Sequence, residues 1–175
     1  LFDGFFSKES PTSVARAARQ EFLDQVTTLQ LATDLGRGNE LSFRTQVALA
    51  RELGLPVSIH VRDRGAGAYE ELLEIWRAES GGGLEGVLHC YTHDAPFAKR
   101  ALDAGLLVSF SGIVTFKSAD ELRAVAAALP LDRLLVETDA PLLAPQGHRG
   151  SRNEPALVAL VGACLARVQQ APLEA

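Results

Sequence analysis

Leu134-Leu135-Val136-Glu137-Thr138-Asp139-Ala140-Pro141 reads as a short apolar β-strand that runs into two carboxylates and is stopped by a proline. Residues i and i+2 of a strand point to the same side. The alternation predicts that Glu137 and Asp139 share one face at the strand's carboxyl end. Two carboxylates side by side repel each other and lose hydration, a cost that a bound cation removes. The other reading is a strand that emerges into solvent at its last residues. Two further apolar runs have the same form. Leu55-Pro56-Val57-Ser58-Ile59-His60 and Gly86-Val87-Leu88-His89 each end in histidine. Three strands thus deliver metal-compatible side chains at their carboxyl ends. In a barrel of parallel β/α units, functional residues gather at that end from several different strands.

The chain has 175 residues, enough for one domain with a substantial core. Nearly half of it is hydrophobic, its formal charge is -5 and its pI is near 5.4. That balance excludes a surface that grips nucleic acid by bulk positive charge, and leaves open a nucleic-acid substrate held by a metal and a few local cations. Cys90 and Cys164 form neither a CxxC pair nor a disulfide framework, which points to a reducing, cytoplasmic setting. Cys90, next to His89, is either a soft ligand or a small core residue. No run reaches the ~18 apolar residues of a membrane span. The start, Leu1-Phe2-Asp3-Gly4-Phe5-Phe6, has no signal-peptide pattern and no initiator Met, so upstream sequence is expected to be missing.

Strand and helix signals alternate along the chain. Helices are predicted over 11–27, 40–53, 69–78, 95–104, 118–128 and 154–169, and strands over 29–35, 56–60, 86–90, 106–111 and 133–138. This is the pattern of a parallel sheet covered by helices. A complete eightfold barrel needs about 250 residues. The expected fold class is therefore α/β, a partial TIM-type (β/α) barrel made of roughly five carboxyl-terminal β/α units. Residues 1–28 are set apart as an atypical helical segment, with the barrel domain over 29–175.

Several stretches in order resemble the TatD family of metal-dependent deoxyribonucleases. They are Leu55 to Asp63, Gly86 to Thr92, Ser109 to Lys117, Leu131 to Pro141 and His148 to Pro155. The resemblance implies a metallo-dependent hydrolase that cleaves phosphodiester bonds, often as a 3′ exonuclease on DNA. It implies up to two divalent ions, Mg, Mn or Zn, with His60, His89 and Asp139 among the ligands. The family's first-strand His-x-His pair has no counterpart here, and Gln30 falls where the family has a bridging glutamate. Gln offers a neutral carbonyl oxygen where a carboxylate would hold two cations. The expected function is a TatD-type deoxyribonuclease impaired by these departures. The alternatives are an inactive TatD-like chain, or a half-barrel completed by a partner or a second copy.

The site residues follow from these readings. His60, His89 and Asp139 are the candidate metal ligands, and Asp139 is also the candidate base for the attacking water. Glu137 is a candidate catalytic group that supports a ligand by hydrogen bonding, or else pairs with an arginine. Arg62 either holds a substrate phosphate or pairs with Asp63 or Glu137. Arg149 and Arg152 are either phosphate contacts or solvated loop residues. Tyr91 either stacks on a base or packs in the core. Ser109 and Ser111 are assigned to the barrel floor, and Asn153 to the cap of the last helix. The expected partner is DNA, as single strands or 3′ ends, with no membrane.

Overall fold

A computed structural model describes residues 29–33 (backbone), 40–61 and 67–171. The helix expected over 11–27, and Arg62, lie outside these residues. Five strands form one sheet, β1 Leu29–Thr33, β2 Val57–Val61, β3 Gly86–His89, β4 Leu106–Phe110 and β5 Leu134–Val136. They stand in sequential order and every neighbouring pair is parallel. Helices α1 Glu40–Leu53, α2 Ala68–Glu79, α3 Ala95–Asp103 and α4 Asp120–Ala128 connect successive strands, and α5 Val158–Gln169 follows β5. Sequential order with helical crossovers is the arrangement of a (β/α) barrel wall.

The strand residues divide by parity. Val57, Ile59, Leu88, Leu106 and Val108 are buried and belong to one core with Phe43 and Val47 of α1, Leu72, Leu73 and Trp76 of α2, and Phe97 of α3. Ser58, His60, Val87, His89 and Leu107 alternate with them and are only half-buried. All helix packing therefore falls on one face, and the sheet's other face carries the histidines. Gly86 shows how tight the packed face is. A Cβ there would lie 2.5 Å from the Trp76 ring and 2.8 Å from Leu106. The ring is in turn fixed by its indole N–H, which donates to the Ala104 carbonyl at 3.0 Å. Helix α3 starts as its sequence dictates. Asp94 caps it by accepting from the Phe97 amide at 2.9 Å, and Pro96 occupies the first turn.

Two of the boundaries that differ from the sequence reading bear on the site. β5 stops at Val136, so Glu137 and Asp139 lie beyond the ladder proper, although the Glu137 amide still donates to the Phe110 carbonyl at 3.1 Å. The last helix begins at Val158, after a 3₁₀ turn over Pro155–Leu157, so Asn153 is not its cap. Asn153 is buried and ties down the preceding loop instead. Its amide side chain donates to the Leu142 carbonyl and its backbone N–H to the Pro141 carbonyl. Asn and Asp compete for backbone groups in turns as readily as at caps. Among the described residues no helix is long and apolar enough to cross a membrane.

Candidate metal centre

β2 and β3 place their last inward residues side by side. His60 and His89 are paired in register, with ring centroids 5.8 Å apart. From the far side comes the loop after β5. Its position is set by close contact with the 3₁₀ turn Gly112–Thr115, where a Cβ on Gly112 would fall 2.2 Å from the Leu143 carbonyl oxygen. Only glycine fits under that carbonyl. The Leu142 amide donates back to the Asp139 carbonyl at 2.6 Å, and Asn153 braces the same segment. The strand ends and this loop together bring Asp139 to His89.

Glu137 and Asp139 do converge, but on opposite edges of one imidazole. His89 Nδ1 lies 2.8 Å from Glu137 Oε2, and His89 Nε2 lies 3.1 Å from Asp139 Oδ1. Glu137 Oε2 also accepts from the Ser109 hydroxyl at 2.7 Å. The second oxygen of Glu137 is buried, and no hydrogen-bond partner for it exists among the described residues. His89, Glu137 and Asp139 each offer a ligand atom within 4.8 Å of the others. The ring geometry separates them, because a cation at Nε2 shares Asp139 and has the imidazole between itself and Glu137 Oε2. The strand alternation that placed both carboxylates on one face is thereby refined: they flank His89 and stand on its two sides.

The electrostatics follow from this clamp. The hydrogen bond that His89 donates to Glu137 raises the His89 pKa above its usual value, against the opposing effect of burial, and the charges of Glu137 and Asp139 add to the rise. Beside it, burial pushes the Cys90 thiol up to about 12, so Cys90 stands as a protonated thiol within 3.1 Å of the Ser111 hydroxyl. Cys90 also has a positive φ of 49° and lines the site, so it is a wall residue and not part of the core.

His60, Tyr69, Cys90, His93, Ile113 and Asp139 surround a cavity of about 460 Å³. A second hollow of about 650 Å³ shares Thr92, His93 and Ile113 with it and runs on to Phe116. Among the other expected site residues, Arg149 is exposed and stacks its guanidinium over the Phe116 ring at 4.3 Å. Arg152 is exposed on the same loop. Gln30 lies in β1 in register with Ser58, while Ala32 is the residue in register with His60. Tyr91 requires correction. It is 2% exposed, its hydroxyl donates to the Asp94 carbonyl, and its ring packs against Tyr69 and Phe110, so no face is left for a base. Desolvation raises its pKa. Strand alternation failed there because the chain leaves the strand at His89 and turns at Cys90. The sequence reading missed the role of Ser109. The register Leu88↔Val108 sets Ser109 next to His89, a pairing that only the folded sheet reveals.

Comparison with known proteins identifies the family. Residues 34–175 match the family profile described as TatD related DNase. The chain belongs to the TatD family. It is 50% identical over 117 residues to the uncharacterized metal-dependent hydrolase YcfH of Escherichia coli K12, a match that covers 67% of this chain and 43% of YcfH. It is 39% identical over 124 residues to a protein of Rahnella named 3′-5′ ssDNA/RNA exonuclease TatD, covering 68% of this chain and 46% of that protein. The crystal structure of YjjV, a TatD homologue of E. coli K12, superposes with a TM-score of 0.71 at 26% identity, over 92% of this chain and 64% of YjjV. The fold is thus that of the TatD-type TIM-barrel proteins, seen here as a five-stranded parallel wall of such a barrel. The chain spans a little under half the length of these curated relatives.

Proposed function

We propose that this TatD-family chain is the metal-binding part of a hydrolase that cleaves phosphodiester bonds in single-stranded nucleic acid. One observation carries the reading. His89 Nε2 and Asp139 Oδ1 face each other at 3.1 Å beside a cavity that His60 also lines. A neutral imidazole nitrogen and a carboxylate oxygen are both acceptors when the proton is on the other nitrogen. At that distance they repel unless a positive charge lies between them. A proton meets the need, and so does a divalent cation. Two acceptors 3.1 Å apart are close enough that one divalent ion could bind both. His89 and Asp139 are the residues that would hold it; His60 lines the same cavity but stands outside the group whose ligand atoms lie within 4.8 Å of one another, and the imidazole and carboxylate donor set suits Zn or Mn and tolerates Mg.

A bound divalent ion supplies Lewis-acid polarisation of a phosphoryl oxygen and activation of the attacking water. The chain's own groups do the rest. Glu137 holds the His89 ring at its other nitrogen. Asp139 stands at the cavity wall, within reach of a proton to be taken up. Arg149 and Arg152 are the cations on the loop that follows, available to phosphates flanking the scissile one. The hollow beside Thr92 and Phe116 gives a nucleotide room next to the site. The single-stranded substrate is carried over from the name of the Rahnella relative.

A second reading has its own support. The four histidines, at 60, 89, 93 and 148, include no His-x-His pair, and Gln30 is neutral. A chain with those features binds one cation and turns over poorly, or awaits the rest of a barrel. The test is titration of the folded chain with Zn²⁺ and Mn²⁺, followed by hydrolysis of a 3′-labelled single-stranded oligonucleotide with and without the metal. Saturable binding near one equivalent with release of 3′ nucleotides supports the hydrolase. Binding without release supports the second reading. No binding by a folded chain overturns the metal-centre proposal.

A further inference from the structure

We propose that Ser109 is a positioning residue that, through Glu137, fixes His89 in the tautomer whose Nε2 lone pair faces Asp139. The inference adds to the metal-centre reading, and only its effect on metal affinity rests on that reading. An ionised carboxylate oxygen is acceptor-only. Glu137 Oε2 takes one hydrogen bond from the Ser109 hydroxyl, at 2.7 Å, and stands 2.8 Å from His89 Nδ1. For that second contact to be a hydrogen bond, Nδ1 must carry the proton. Nε2 of the neutral ring is then the lone-pair nitrogen.

The terminal torsion of a glutamate is soft, so a carboxylate held at one point can rotate away. Glu137 needs two anchors to keep Oε2 facing the imidazole. Its backbone amide is held by the Phe110 carbonyl at 3.1 Å, but that bond does not fix the terminal carboxylate torsion. Ser109 supplies the second anchor from the interior of β4, where it is 2% exposed. Asp139, by contrast, sits on a loop and lines the open cavity. Glu137 has one oxygen buried with no donor among the described residues, so losing the His89 proton would leave it further unsatisfied. The tautomer with the proton on Nδ1 is therefore the one the surroundings select. Outer partners of this kind orient metal-binding histidines and tune their affinity.

The experiment is a long-range proton–nitrogen NMR correlation on metal-free protein labelled at the histidine ring nitrogens. It is run at alkaline pH, where the rings are neutral, with His89→Gln to assign the signal. The wild-type ring is expected as the Nδ1–H form. Ser109→Ala is expected to shift it toward a mixture and to weaken Zn²⁺ binding, by calorimetry, about tenfold, within the 10–100-fold range of such partners. Ser109→Cys keeps the volume but offers only a weak donor, and is expected to fall between the two. It carries the test if the alanine variant does not fold. An Nε2–H ring in wild type overturns the proposal, as does an unchanged tautomer in folded variants. If the tautomers behave as expected while wild type binds no Zn²⁺, the positioning role is supported and the metal-centre reading fails alone.

Discussion

Leu88 and His89 are adjacent in β3, yet they belong to different economies of the molecule. Leu88 points into the helix-packed face, is 1% exposed, and joins Ile59 and Val108 in the core. His89 points to the opposite face, where it touches Glu137, Asp139 and the ring of His60. One face removes apolar area from water and sets the register. The other gathers charged and polar groups that gain little by being together without a cation. The core face is where stability resides, and the cavity face is where it is given up in favour of chemistry.

The largest effect should come from breaking the core side. Leu88→Ala is expected to destabilise the chain by about 2–5 kcal/mol, the range for deleting a buried leucine. His89→Ala, measured in chelator, is expected to lower stability by only about 1 kcal/mol, since it removes one charge-assisted network at the surface of the cavity and leaves the packing intact. Denaturant titrations of both variants check the contrast. Equal losses would mean that the histidine is a packing residue. For metal affinity the order reverses. Asp139→Ala should weaken Zn²⁺ binding by more than the roughly 100-fold that outer partners cause, while a folded core variant such as Val108→Ala keeps wild-type affinity. Calorimetry on the two proteins decides it.

Gly112 links the two faces, which makes it the sharper probe. Its substitution by alanine forces the Leu143 carbonyl to retreat from a 2.2 Å approach. The expected cost is about 1–3 kcal/mol, as for other overpacked sites. Because that carbonyl belongs to the loop carrying Asp139, the variant should also lose metal affinity, unlike a core substitution of equal cost. A Gly112→Ala chain that is destabilised but binds Zn²⁺ like wild type would show that the loop does not position Asp139.

Much of this was legible in the sequence because it depends on local periodicity. The apolar runs ending at His60 and His89, the Asp94-Ala95-Pro96 helix start and the alternation of strands with helices each encode an element within about ten residues. The approach of His89 and Asp139, with His60 on the same cavity wall, was legible only through the barrel architecture. What was not legible depends on contacts across the chain. Glu137 and Asp139 obey period two only if the strand continues, and it stops at Val136. Tyr91 looked like a face residue until the positive φ of Cys90 turned the backbone and buried it. Asn153 followed by Glu154-Pro155 reads as a cap, yet its side chain is used to brace a loop eleven residues back. Ser109 gave no signal by itself, since its partner lies 28 positions away and on the far side of a helix in sequence.

The smallest effect concerns protons, and it distinguishes the two faces without any substitution. The His89 pKa is raised in the folded chain, so the folded state holds the proton more tightly than the unfolded one. The stability this contributes is fully present below the unfolded value of about 6.5 and is lost as pH rises through the folded value. Metal-free protein should therefore become less stable from pH ~6.5 upward, with a slope of at most about 1.4 kcal/mol per pH unit for one proton. Metal binding must have the opposite slope, because the cation displaces that same proton from Nε2. Zn²⁺ affinity should rise up to about tenfold per pH unit until His89 is neutral, and then level off. Thermal or urea unfolding with chelator, set beside calorimetry with Zn²⁺ over the same pH series, tests both signs at once. In the His89→Gln variant both slopes should flatten together. If the stability slope persisted in that variant, the proton would belong to another group, and the clamp around His89 would not be the source of the pH dependence.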